Sequence, residues 1–403
     1  MITILYPELQ PLVEEYPIGL RILNIKVKES PWLLIKAPKE FLLAARMNKS
    51  FKIYVAPLQI SGIETIGLIS AFFDIPDEPL CIFTPCFEDA ETKSLIHACD
   101  NGEIQVHLVD EHGRQLLGYP AKVSIPPLIR NRMKHTKLLQ FSNSAARDMC
   151  DGMNKWFSLR DSADDAESIS VDFGVPLFPE DIAIMNVIPE THSYHGGKGY
   201  EISMLERKEP GSFQERDIVQ LLQRIFPPEQ IFLGPLRVTD KEEICDVLVI
   251  TNDRVLVVQA KDSPNTEAIM RKEMAKKRSM IMRHLTKAIS QVGGALRYIR
   301  SATSLRMVVI GKEVFIDLAD RELVSLIVVR ELFVDQYSDY SPSILDLAKR
   351  TGVPCIPLEY MELHMYTKFL ADEEAFFKAF YQVFDFGNTR GEFPRLRFGM
   401  AGV

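Results

Sequence analysis

Hydrophobic patterning divides the chain into stretches with different periods. Up to about residue 130, apolar residues alternate with polar ones or gather in short β-branched runs. These are Leu20–Val27, Trp32–Ile35, Phe51–Val55, Thr65–Phe73, Ile104–Val109 and Ala121–Ile125. Pro, Gly, Asp and Asn punctuate them, as at Asp74-Ile-Pro76, Asp100-Asn-Gly102 and His112-Gly113, so strands joined by turns are expected. Ala90–Ala98 predicts one short helix. From His135 to about Arg160 the spacing turns helical, through Leu138, Leu139, Phe141, Met149, Met153 and Trp156. Asp161–Glu167 reads as an acidic, solvated connector and His192–Gly199 as a second loop.

Beyond residue 205 the pattern alternates between helix and strand. Ser212–Phe226 carries Phe213, Ile218, Leu221, Leu222 and Ile225 at helical spacing, with Ser212 as N-cap and Glu215 placed to complete a capping box. Pro227-Pro228 ends that helix. Strands are expected at Ile231–Val238, Ile244–Ile250 and Arg254–Ala260, then a long helix over about Thr266–Ser301. Further strands are expected at Arg306–Ile310, Leu323–Arg330 and Val353–Pro357, with helices near Pro342–Arg350 and Asp372–Phe384. The resulting organisation is a β-rich α+β domain over 1–134, a helical and loop connector over 135–204, and an α/β domain over 205–403. The last is expected as a mixed sheet flanked by helices. A length of 403 residues agrees with more than one core.

Composition adds three points. The apolar runs are of strand length, so no membrane span is expected. The first residues carry Glu8, Glu14 and Glu15 and lack a basic stretch followed by an apolar run, so no secretory signal is expected either. Cys81, Cys86, Cys99, Cys150, Cys245 and Cys355 are scattered without a CxxC pair and read as reduced thiols of a cytoplasmic protein. A net charge of −8 argues against indiscriminate coating of nucleic acid. Yet from Arg271 to Arg306 there are ten basic residues against the single acid Glu273. That segment, with Lys276, Lys277, Arg278, Arg283 and Lys287 on a helix that also carries Gln291, is a candidate polyanion-binding face.

The informative stretch is Cys245–Lys261, CDVLVITNDRVLVVQAK. Two apolar strands flank Asn252-Asp253, a dipeptide suited to a two-residue turn. Such a turn pairs 251 with 254 and so sets Asp246 across from Gln259, on the same face and with Cβ atoms about 5 Å apart. Lys261, two residues on, shares that face. A hard cation such as Mg²⁺, with Mn²⁺ as a substitute, takes oxygen ligands. The Asp246 carboxylate, the Gln259 amide oxygen and the Ala260 carbonyl supply them, and Glu215 adds another directly or through water. Lys261 would hold or polarise a water and offset charge growing on a phosphate. His192, His195 and Gly196-Gly-Lys-Gly199 do not make a phosphate loop, because Gly199 and Tyr200 follow Lys198 where Ser or Thr is needed.

A helix with Glu, a strand, a strand with Asp, a strand with an acid-x-Lys tripeptide and a long helix together resemble the PD-(D/E)XK nuclease superfamily. The Gln-x-Lys form is most similar to its Mrr-like restriction endonuclease branch. The resemblance spans about residues 205–360. It implies that Asp246, Gln259, Lys261 and Glu215 hold the catalytic positions, with Gln291 and Tyr298 related to residues that follow the core. It further implies a Mg²⁺-dependent phosphodiesterase, endonucleolytic on DNA in preference to RNA, in a bacterial restriction or antiviral defence role. Gln259 departs from the usual carboxylate, and an amide is a weaker cation ligand. A second reading is therefore a catalytically weak or inactive nuclease-fold protein that binds nucleic acid or acts as a scaffold. Residues 1–134 could bind a ligand that switches the nuclease, bind a partner or recognise the substrate, and their sequence does not separate these. It leaves open a homo-oligomer as well.

Overall fold

The runs Val247–Ile250 and Val255–Val258 are apolar at every position, the pattern of strands covered on both faces. In the computed structural model, which describes residues 2–23, 30–75, 77–301, 303–318 and 321–396, both strands are buried throughout these runs. They lie in a five-stranded sheet in the order Ile231–Leu233, Val247–Ile250, Arg254–Lys261, Glu322–Val329, Cys355–Glu359. The first three strands are antiparallel to one another in turn, and the last two run parallel to Arg254–Lys261. Helix Gly211–Leu222 precedes this sheet. The 27-residue helix Met274–Arg300 crosses over from Arg254–Lys261 and packs against it and against Glu322–Val329. Gly293 faces Tyr337–Thr351, where a Cβ would meet Leu347 Cδ1 at an ordinary contact distance of 3.5 Å. The Gly293-Gly294 pair does not break the helix. The chain is a mixed α/β protein.

The N-terminal half forms an eight-stranded sheet ordered Gly19–Leu23, Trp32–Lys36, Glu103–Val109, Gln115–Ser124, Ile169–Phe173, Ser50–Ile60, Ile63–Phe72, Leu80–Pro85. The end of the expected strand Leu20–Val27 falls outside the described residues. Residues 143–173, expected within the connector, instead belong to the N-terminal sheet and its packing. Ile169–Phe173 is an interior strand of this sheet, and helix Asn143–Phe157 buries Met149 and Met153 against it beside Tyr54. The acidic run is a short helix, Ser162–Ala166, with Asp161 and Asp164 forming its capping box. Its Asp165 accepts from the Tyr54 hydroxyl at 2.6 Å. Short apolar strings such as Ile169-Ser-Val171 carry too little periodicity to reveal an interior strand, because their burial is supplied by neighbours distant in sequence.

Four other expectations change. The basic segment begins with a separate turn, Glu267–Met270, because Glu273 takes an extended backbone (φ −57°, ψ 145°) before the long helix starts. Ile231–Val238 splits at Gly234-Pro235 into two short strands that enter different sheets. Helix Lys39–Asn48 lies where only strands were expected. Finally, helix Gly211–Leu222 has Pro210 at its N-cap and no side-chain cap, so Ser212 and Glu215 form no capping box. No helix among the described residues is long and apolar enough to cross a membrane.

Candidate functional site

The hairpin register is the one the Asn252-Asp253 turn dictates. Val247 faces Val258, Ile250 faces Val255, and Thr251 closes the turn through its N–H to the Arg254 carbonyl at 2.9 Å. Asp246, immediately before its strand, therefore meets Gln259. Its Oδ2 accepts from the Ala260 N–H at 2.6 Å and from Gln259 Nε2. Lys261 Nζ stands 3.6 Å from the same oxygen and donates to the Ala260 carbonyl at 2.7 Å. Asp246 and Gln259 are buried while Lys261 is partly open, so the group is a polar end to an apolar hairpin. Burial pushes the Asp246 carboxyl above its ordinary range, against the opposing pull of Lys261, the Ala260 N–H and Gln259.

Glu215, released from any capping role, joins this group through its charge. Burial, then Asp246 and Glu243, push its carboxyl up to about 7. Glu243 was not anticipated. It stands at the solvent-facing rim, where partial desolvation and Asp246 move its carboxyl to about 7 as well. Only its position three residues before Asp246 could have marked it, and Glu242 beside it is equally acidic. Three carboxyl groups therefore draw on the Lys261 ammonium, with Arg216 acting on Glu215 as well. A divalent cation would offset that excess, and the available donors are all oxygens of the kind Mg²⁺ and Mn²⁺ accept. Asp246, Glu215 and Gln259 would hold such an ion. Among the described residues, no group of three or more His, Cys, Asp or Glu lies close enough together to hold a metal by itself.

The basic helix splits into two parts. Lys277, half-buried, pairs with Asp74 of the N-terminal half at 2.6 Å, Arg278 pairs with Asp335 at 2.6 Å, and Lys276 pairs with Glu273 at 3.5 Å. These three, expected to face nucleic acid, already have anionic partners. One to three turns on, Arg283 and Lys287 are exposed and, among the described residues, have no ion-pair partner. His284 lies between them, and burial followed by Arg283, Lys261 and Lys287 lowers its pKa. The open positive surface is therefore Arg283 and Lys287 beside Lys261, with the half-buried His284 imidazole between them held toward its neutral form. Gln291 is half-buried on the same helix, and Tyr298 donates to the Arg306 carbonyl at 2.9 Å.

The site is joined to the N-terminal half by buried ion pairs. Asp217, on the same helix as Glu215, is gripped by Arg114 at 3.0 Å, Arg207 at 3.0 Å and Lys39 at 3.6 Å. Arg330, whose N–H donates to the Lys261 carbonyl at 3.2 Å, makes a two-pronged contact with Glu40 at 2.5 and 2.6 Å. Burial alone would raise the Asp217 carboxyl, but Lys39, Arg114 and Arg207 overrule it and hold it well below the usual range. No family model, no curated protein and no solved structure matched the chain in these comparisons.

Proposed function

We propose that the C-terminal half is a divalent-metal-dependent phosphodiesterase acting on nucleic acid, with DNA favoured. The observation that carries this reading is the convergence of Asp246, Gln259 and Lys261 on one sheet face, with the Glu215 carboxyl, raised by burial and by Asp246, drawn into the same group. The order helix, three antiparallel strands, crossover helix and parallel strand adds support, since it is the layout on which the PD-(D/E)XK resemblance rests. A bound Mg²⁺ or Mn²⁺ would supply Lewis-acid stabilisation and a more acidic water. Asp246 would anchor the ion, Glu215 would lose its proton to do so, and Gln259 would add its amide oxygen. The Lys261 ammonium, already partly open, would meet the phosphate oxygens. Arg283 and Lys287 would hold the flanking backbone in a salt-dependent way. That no cysteine among the described residues is in a disulfide is compatible with a reducing compartment, and a cytoplasmic restriction or antiviral defence role belongs to the same proposal.

Plasmid, linear and single-stranded DNA incubated with full-length protein and Mg²⁺ or Mn²⁺ test the reading. Cleavage by wild type should fall about a hundredfold or more in Lys261→Ala, the scale for losing one stabiliser of transition-state charge. Identical behaviour of the two proteins on every substrate would overturn it. One observation favours the non-catalytic reading instead: Gln259 turns its amide nitrogen to Asp246, leaving the carboxylate satisfied without an ion. That reading expects salt-sensitive binding without cleavage, unchanged in Asp246→Asn.

A further inference from the structure

In the N-terminal half, helix Pro127–His135 stands as a ridge between two grooves. Ile129 and Met133 anchor it in the core, which turns Leu128, Arg130, Asn131, Lys134 and His135 to solvent. One groove, of about 490 Å³, runs between this helix and helix Ala90–Asp100. The other, of about 650 Å³, runs between it and the hairpin of Ser50–Ile60 with Ile63–Phe72. Both volumes fall within the roughly 300–1,000 Å³ of ligand clefts. Thr136 and Lys137, just past the helix end, line both grooves.

Charge sets this ridge apart from the rest of an acidic chain. Lys93, Arg130, Arg132, Lys134 and Lys137 line the grooves against Glu64, Glu88 and Asp100, in a protein of net charge −8. Lys137 is exposed and, among the described residues, has no ion-pair partner. Arg132 donates to the Val55 carbonyl at 3.2 Å, a neutral acceptor that leaves its charge uncompensated. Arg130 and Lys134 share one carboxylate, Asp100, at 2.9 and 3.0 Å, and remain 48% and 54% exposed. Surface pairs of that kind contribute little, so phosphate exchanges with Asp100 at small cost.

The spacing fits a duplex. A helix with its side chains is about 10–12 Å across, and the major groove of B-DNA, bordered by two phosphate strands, is about 12 Å wide. A helix lodged there sends one strand along each flanking groove. Arg130 and Asn131 on the open face carry the donor and acceptor sets that match guanine and adenine edges. The distance to the candidate site is also suitable. Leu80 shares a cleft with Lys261, and Glu88 lines the first groove. These two residues are eight apart in sequence, so at most about 29 Å separates them, less than the roughly 34 Å of one duplex turn.

We propose that helix Pro127–His135 enters the major groove of duplex DNA while the cations of its two grooves hold the flanking phosphates. The proposal rests on the nuclease reading for the choice of DNA. It makes the N-terminal half the part that grips the substrate and the C-terminal half the part that cuts it.

Fluorescence-anisotropy titration of a short labelled duplex with the full chain, in EDTA and over a series of salt concentrations, tests it without cleavage. The double variant Lys134→Ala/Lys137→Ala should bind roughly tenfold or more weakly at about 0.1 M salt. It should also lower the slope of log affinity against log salt by about two, one for each lost phosphate contact. Glu64→Gln removes a carboxylate from the second groove and should tighten binding, a gain that no folding defect produces. Methyl green, which occupies the major groove, should displace the protein, and the minor-groove ligand distamycin should not. An unchanged salt slope in a double variant that melts like wild type would overturn the proposal. So would displacement by distamycin alone, tighter binding of a single strand than of the duplex, or displacement by polyglutamate as readily as by DNA of equal charge. If Lys261→Ala leaves cleavage unchanged while the double variant loses the duplex, the nuclease reading fails and this contact stands. Cleavage that requires Lys261, with binding indifferent to Lys134 and Lys137, separates them the other way.

Discussion

Glu215 and Asp217 sit two residues apart on one helix, and the structure treats them in opposite ways. Two residues turn the helix by about 200°, so one carboxylate faces the Asp246 hairpin and the other faces the N-terminal half. Asp217 meets three cations and is held far below its ordinary pKa, whereas Glu215 meets two further carboxylates and is pushed up to about 7. Both environments are largely dry. What separates them is whether the protein itself supplies the countercharge. A compensated buried carboxylate ties elements together, and an uncompensated one leaves room for a cation from outside.

The sharpest way to break this comparison is to remove the compensated acid. Asp217→Ala strips Arg207 of its ion-pair partner, leaves Lys39 and Arg114 to Asp110, and should cost about 3–5 kcal/mol in urea unfolding. Glu215→Ala should cost far less. Equal losses would mean that the two sites do not differ in kind.

A smaller effect follows from the direction of the Glu215 shift. Its folded pKa lies above the value of about 4.5 for an unfolded chain, so the folded state binds more protons between these values. The site's contribution to stability is greatest below pH 4.5 and is lost as pH rises through about 7. Glu215→Gln should therefore stabilise the protein at pH 8 by on the order of 1–2 kcal/mol after solvent screening, and leave it unchanged at pH 4. Mg²⁺ should release a proton on binding at pH 6, measurable by calorimetry in buffers of different ionisation enthalpy, and chelation should reverse it.

The smallest effect concerns the start of the same helix. With no cap hydrogen bond to lose, Ser212→Ala should change stability by less than about 0.5 kcal/mol. Asp372→Ala, which removes the bond that Asp372 accepts from the Ala375 N–H at 2.8 Å, should cost about 1 kcal/mol. A large loss at Ser212 would restore the capping box and take Glu215 out of the site.

Much of the candidate site was readable before any coordinates. Asn252-Asp253 is a local turn signal, and the fixed two-residue period of strands carries it to Asp246, Gln259 and Lys261 without tertiary knowledge. The long basic helix was readable for the same reason, since its period repeats over many turns. Capping was misread because Ser-x-x-Glu is only a composition pattern, and Pro210 already ends the preceding chain at the helix start. Ile169–Phe173 and Glu243 were missed for a shared reason: each owes its role to neighbours far away in sequence, and neither sits in a repeating pattern.

By itself, then, the chain's order of residues determined the local register of the hairpin, the apolar strands of the C-terminal sheet and the position of its positive charge. Tertiary structure alone decided which charges stay available. Asp74 reaches Lys277 across 203 residues and Glu40 reaches Arg330 across 290, while Arg283 and Lys287 are left to solvent. Register is a short-range steric property written in neighbouring residues. Charge compensation depends on which distant side chains share a low-dielectric interior, and folding alone brings those together.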